Sequence, residues 1–117
     1  MSSHSAHKNL VHRYLRVFFV THNFSELSEI LATEMIFTGP FFESDTAQDY
    51  IASLERDPPT GCSYNLLHLI EENNQVVAVY DFKKGTIKTV MAQYFHLRDN
   101  LIDRIRLVFD TSVFVKP

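Results

Sequence analysis

Cysteine is almost missing from this 117-residue chain, where Cys62 stands alone. No internal disulfide can form, so the fold must be held by its own core, and a reducing compartment suits it. With no electropositive setting around it, Cys62 reads as a small buried hydrophobe. Tryptophan is absent, and there are only three glycines and four prolines. Collagen-like repeats, Pro-rich tracts and flexible linkers are therefore excluded. No basic run exceeds Lys83-Lys84, and the net charge is −3. Phosphate-backbone binding draws on clustered positive charge, so nucleic acid is not an expected partner. No apolar run approaches the ~20 residues of a membrane span. Met1 to His7 lacks the hydrophobic stretch of a secretory signal. The expectation is a cytoplasmic protein with no membrane partner, frayed over residues 1–6, with His4 and His7 solvated. The six histidines show neither HxH nor HExxH spacing, and no GxGxxG, Walker or GxSxG motif occurs. No metal and no cofactor are expected.

What is present is an ordinary globular balance, 45% apolar and 21% charged. One domain over residues 1–117 is the expectation, large enough to bury roughly two-thirds of its unfolded surface. Ten Phe and five Tyr supply more aromatic bulk than tight packing requires, and they suit a cavity that must hold its shape.

Apolar residues Leu10, Tyr14, Val17 and Phe18 recur at three- and four-residue steps and predict a helix from His7 to Thr21. A second, shorter helix is expected over Phe24 to Ala32, buried through Leu27, Ile30 and Leu31. Met35 to Thr38 reads as a strand stopped by Gly39-Pro40, with a loop at Phe41 to Ser44. A third helix begins at Asp45 or Thr46 and ends before Asp57-Pro58-Pro59. The period then changes. Cys62–Glu71, Gln75–Lys83, Thr86–Arg98 and Leu101–Phe114 read as four strands, joined by turn-formers at Asn73-Asn74, Lys84-Gly85 and Asp99-Asn100. Helices followed by an antiparallel meander predict the α+β class.

Both faces of these strands are apolar, whereas a sheet with one wet face alternates cleanly. Helices cover one face. A second copy of the chain is the simplest cover for the other, so a homodimer through the sheet is expected.

The order helix, helix, strand with Phe37-Thr38-Gly39-Pro40, helix, then a meander ending in Arg106-Leu107-Val108-Phe109-Asp110 resembles the nuclear transport factor 2-like superfamily, in particular its SnoaL-like, polyketide cyclase-like branch. The resemblance runs from about His7 to Asp110 and rests on element order and spacing. It implies a cone: a curved antiparallel sheet wrapped around the N-terminal helices, as in cystatin-like folds, with a pocket inside. In the superfamily's ketosteroid isomerases, an oxyanion-donating tyrosine on the first helix would correspond to Tyr14 and a second donor to Tyr94. Their general base would fall at Gly39, which cannot take a proton. In the limonene-epoxide-hydrolase-like members, the Arg-Asp-Asp triad would fall at Val79, Asp81 and Leu107, so one carboxylate of the three is kept.

Counting in twos, the expected pocket face carries Val77, Val79 and Asp81, then Val90, Ala92, Tyr94 and His96, then Ile105, Leu107 and Phe109. Tyr14 and Phe18, Phe37, and Tyr50 and Leu54 join from the helices and first strand. Asp81 or His96 would move a proton, and Tyr14 and Tyr94 would steady an oxyanion. The plainer readings stand beside these: Asp81 solvated or paired with Lys83, His96 a satisfied strand-end histidine, the tyrosines spanning core and cavity. His68 is expected in the core or at a dimer interface. Arg104 and Arg106 are expected to pair with Asp103 and Asp110. Three functions remain open: a cofactor-free isomerase, cyclase or dehydratase acting on a hydrophobic carbonyl compound; a non-catalytic binder of a small apolar molecule; and a dimeric interaction module with a vestigial pocket.

Overall fold

The computed structural model describes residues 5–114. Ser5 caps the first helix, α1 (Ala6–Arg16), its side chain accepting from the Lys8 amide at 3.3 Å. Ser5 and Ala6 are therefore not frayed, and the expectations for residues 1–4, His4 among them, lie outside the described residues. His7 is not solvated; it is half-buried, with Nδ1 3.0 Å from Glu71. The chain then widens into a π turn (Val17–Thr21), closed by the His22 amide on the Val17 carbonyl at 2.9 Å. A π turn holds one residue more than α winding. Here it buries Val17 and Phe19 while leaving Phe18 half-buried between them. The expected second α-helix is a 3-10 turn (Phe24–Glu29) that ends at Ile30. Six residues are too few to favour α winding, and Ser25 and Ser28 spend their hydroxyls on local oxygens. Arg13 ties this turn to α1 through Glu26 at 2.6 Å and Glu29 at 2.5 Å.

Strand β1 (Leu31–Thr38) starts earlier than its apolar core suggested, and Glu43–Ser44, expected as loop, pairs with it as β2. Thr46 caps α2 (Ala47–Arg56) by accepting from the Asp49 amide at 3.1 Å. The four later strands are β3 (Cys62–Glu72), β4 (Gln75–Lys84), β5 (Ile87–Arg98) and β6 (Leu101–Val108). The last is shorter than expected because the Asp110 carboxylate accepts from both the amide and the hydroxyl of Ser112, turning Thr111–Phe114 into a 3-10 turn. Asn73, Asp99 and Asn100 adopt positive φ in the hairpins, the chemistry these turns require.

The sheet order is β2-β1-β6-β5-β4-β3. The meander is antiparallel, but β1 lies parallel to β6, so the sheet is mostly rather than wholly antiparallel. Register shifts at Leu66/His68, His96/Leu97 and Leu31/Ile36 mark bulges, which bend strands and increase twist. They let the sheet curve round the helices. α1 packs on β3 and β4, and α2 on β1 and β2. The core between them is built from Tyr14, Leu15, Met35, Tyr80, Phe95, Ile102 and Ile105, all essentially inaccessible. Truncating a residue such as Phe95 to alanine costs about 3–5 kcal/mol. Among the described residues, no helix is long and apolar enough to cross a membrane.

Candidate active or binding site

The phase of the strands decides which side chains face the helices. On β4 the inward row is Val76, Ala78, Tyr80 and Phe82; on β5 it is Met91, Gln93, Phe95 and Leu97. The expected row is therefore displaced by one residue, and a shift of one moves every side chain to the opposite face. Val77, Val79 and Asp81, with Val90, Ala92, Tyr94 and His96, lie on the outer face, and Asp81 is exposed. None of these lines the cavity. Tyr94 donates to Gln75 Oε1 at 2.9 Å. His96 Nδ1 lies 2.7 Å from Asp103 Oδ1, and Arg98 Nε donates to Asp103 Oδ2 at 3.1 Å while also bonding Glu34. Burial works against the Asp103 carboxylate, yet the bonds from His96 and Arg98 hold its pKa below the ordinary value. Asp103 thus pairs with His96 and Arg98 rather than with Arg104 or Arg106, and Asp110 serves the turn at Ser112. His68, opposite Val79 on the outer face, is exposed and not in the core.

The interior between α2, β1 and the ends of the later strands opens into a cavity of about 620 Å³. This lies within the ~300–1,000 Å³ of small-molecule sites. Its wall includes Phe18 of the π turn, Phe37 of β1, Tyr50 and Leu54 of α2, Met91 of β5, Leu107 of β6, and Phe109. Phe18, Phe37, Tyr50, Leu54, Leu107 and Phe109 were expected here; Ile105 is buried in the core behind them. Sequence reasoning missed Phe82 and Met91, which belong to the rows it turned outward, Cys62 of β3, to which it assigned no face, and the aromatic group at one end. There Phe41 and Phe109 meet edge to face at 5.5 Å, and Phe114 packs on both. Gly39 lies at this edge, its amide donating to the Phe42 carbonyl at 2.9 Å. A Cβ at Gly39 would lie 3.0 Å from the Phe37 ring, so a side chain there would require that ring, part of the cavity wall, to shift.

Behind the apolar wall lies a buried polar chain. The Tyr80 hydroxyl donates to Gln93 Oε1 at 2.9 Å, and Gln93 Nε2 donates to the Tyr14 hydroxyl at 3.2 Å. The Tyr14 hydroxyl shares a short hydrogen bond with that of Tyr50. Burial pushes the Tyr14 phenol up to about 12 and raises Tyr50 and Tyr80 well above their ordinary range, so all three stay protonated at neutral pH. Each phenol has one proton. Tyr80 gives its proton to Gln93, and the Tyr14–Tyr50 pair shares one between them, so one phenolic proton has no acceptor among the described residues. Tyr50, stacked on Phe37 at 4.7 Å, is the member of the chain that lines the cavity. Gln93 is 3% exposed. Its signal in the sequence was a lone amide between Met91 and Phe95, in the row that carries no charge.

The rim carries Arg56, Asp57 and Lys84, and Asp57 is the one carboxylate among the described cavity-lining residues. A smaller cleft of about 430 Å³ lies between His22, Phe24, Glu55, Pro58 and Thr60. His22 Nε2 is buried there without a hydrogen-bond partner, as is Ser44 Oγ near β1. Among the described residues, no three His, Cys, Asp or Glu side chains are grouped to hold a metal ion.

No protein-family model matches the chain, and no curated protein is similar to it in sequence. Solved structures are. One is an NTF2-like protein of unknown function from Cytophaga hutchinsonii, with 21% identity, TM-score 0.80, and coverage of 97% of this chain and 98% of that one. Another is an LEH-like epoxide hydrolase from M. tuberculosis, with 14% identity, TM-score 0.78, and coverage of 92% and 84%. A third is a candidate isomerase of the SnoaL-like family from Agrobacterium tumefaciens, with 14% identity, TM-score 0.73, and coverage of 90% and 97%. The chain has the nuclear transport factor 2-like fold, with SnoaL-like structures among its neighbours. At these identities the likeness carries the fold and not the chemistry.

Proposed function

We propose that this protein binds a small, mostly apolar molecule carrying a hydrogen-bond acceptor such as a carbonyl oxygen. The carrying observation is the Tyr80–Gln93–Tyr14–Tyr50 chain, whose bonds leave one phenolic proton without an acceptor among the described residues and which reaches an aromatic cavity at Tyr50. A buried donor without a partner costs about 1–3 kcal/mol, and an acceptor on the ligand recovers that cost.

Binding without turnover fits this wall better than catalysis. Acid/base chemistry needs a group that exchanges a proton near neutral pH at the bound molecule. Asp81 and His96 lie on the other side of the sheet, Gly39 has no side chain, and Asp57 stands at the exposed rim. An enzyme reading would keep Tyr50 and Tyr14 as donors to a developing oxyanion, and it would have to draw its base from Asp57.

Calorimetry with a cyclic ketone and the hydrocarbon of the same shape tests the reading. Tyr50→Phe should weaken the ketone several-fold and leave the hydrocarbon unchanged. Equal affinities for the two ligands in the native protein would defeat it.

The outer face calls for a cover of its own. Ile70, Val90 and Val108 are each more than half exposed there, beside half-buried Val77, Val79 and Ala92. A second copy of the chain, packed face to face, is the proposed cover. Light scattering at micromolar concentration should return twice the monomer mass, and a Val108→Asp variant should return the monomer mass.

A further inference from the structure

The inward row of β4 reads Val76, Ala78, Tyr80, Phe82 and then Lys84, so an apolar stripe ends in a cation at the cavity rim. Lys84 sits directly opposite Cys62, another lining residue, and its charge acts on the Cys62 thiol, whose pKa burial raises and Lys84 pulls back. Arg56, in the last turn of α2, stands on the same rim. Neither cation makes an ion pair with a carboxylate among the described residues. Asp57 is the opposing charge, so the rim keeps a net single positive charge over an otherwise apolar hollow. A lysine in such a place commonly lays its stem along apolar surface with its ammonium in water. The second cation from the facing helix is what that habit does not explain.

We infer that the cavity takes a medium-length oxo acid, its carbonyl oxygen at Tyr50, its apolar body against the aromatic wall and its carboxylate at the rim with Lys84 and Arg56. This rests on the cavity being a ligand site, as proposed above, and adds the charge of the ligand to it. Exposed ion pairs contribute about 0.2–1 kcal/mol, so each cation supplies up to about five-fold in affinity, and salt reduces the gain. Asp57 works against the same carboxylate, which gives a variant of opposite sign.

The test is calorimetric titration of decanoate and decanol, at a pH where decanoate is ionised. Decanoate should bind more tightly than decanol to the native protein. The Lys84→Gln/Arg56→Gln double variant should lose roughly five- to tenfold for decanoate and nothing for decanol. Asp57→Asn should tighten decanoate. All three residues are exposed, so the fold is retained, and thermal unfolding checks this. Equal binding of acid and alcohol to the native protein, or an equal loss of both in the double variant, would overturn the anionic head while leaving the apolar site in place. Binding of neither would remove the site itself and the inference with it.

Discussion

Replacing Gln93 with leucine breaks the buried polar chain at its centre. The side chain is 3% exposed, accepts from Tyr80 and donates to Tyr14. Leucine removes two hydrogen bonds, each with a net value of about 1 kcal/mol, and leaves the Tyr80 hydroxyl buried with no acceptor. Part of this is offset by the added apolar surface. The expected net loss is about 2–3 kcal/mol, or roughly 8–15 °C in Tm for a domain of this size. Tyr80→Phe alone strands only Gln93 Oε1 and should cost about 1–2 kcal/mol. The double variant removes both partners of one bond, so its cost should fall short of the sum by about 1 kcal/mol or more. Urea unfolding followed by circular dichroism measures all three, with the m-value as the check that the native state is unchanged. Additive costs, or a Gln93→Leu variant as stable as the parent, would refute the linked chain of phenols.

Other outcomes follow from the same geometry. Asp81→Asn and His96→Gln should leave cavity binding within error, because both side chains lie beyond the sheet; calorimetry with decanol reads this. The folded-state pKa of Asp103 is held down by His96 and Arg98, so its contribution is complete above the unfolded value near ~4 and is lost as pH falls through the lower folded value. Asp103→Asn should flatten the acid limb of a stability-versus-pH curve, and an unchanged limb would count against the pairing. Cys62 lines the cavity with its thiol pKa raised by burial, so it should react slowly with a thiol reagent at neutral pH. Decanol at saturation should slow it further, and an unchanged rate in saturated protein would contradict the placing of Cys62 on the cavity wall.

The meander and its hairpins were legible because Asn73-Asn74, Gly85 and Asp99-Asn100 are turn-formers between apolar runs. The phase of the strands was not, since β4 and β5 are apolar on both faces and alternation then carries no sign. The clue lay in the ends of the rows. Gln75, Val77, Val79, Asp81 and Lys83 are polar at both ends, while Val76, Ala78, Tyr80 and Phe82 stay uncharged until Lys84. The bulges at Leu67 and Asp103 added to the difficulty, because each breaks the count of two within a single strand. The helix and β1 contributions to the cavity survived, since Phe18, Phe37, Tyr50 and Leu54 depend on helical spacing and a short strand rather than on that phase. Gln93 left only a faint signal, a lone amide in an uncharged row, because its meaning comes from Tyr14, 79 positions away.

Methyl NMR of a sample labelled at methionine and valine, titrated with decanol, bears most directly on where the ligand sits. The Met91 methyl lines the cavity, whereas the Val79 and Val90 methyls lie across the sheet from it. A large shift at Met91 with Val79 and Val90 unmoved is the predicted result. Shifts at Val79 and Val90 with Met91 silent would place the ligand on the outer face and contradict the account.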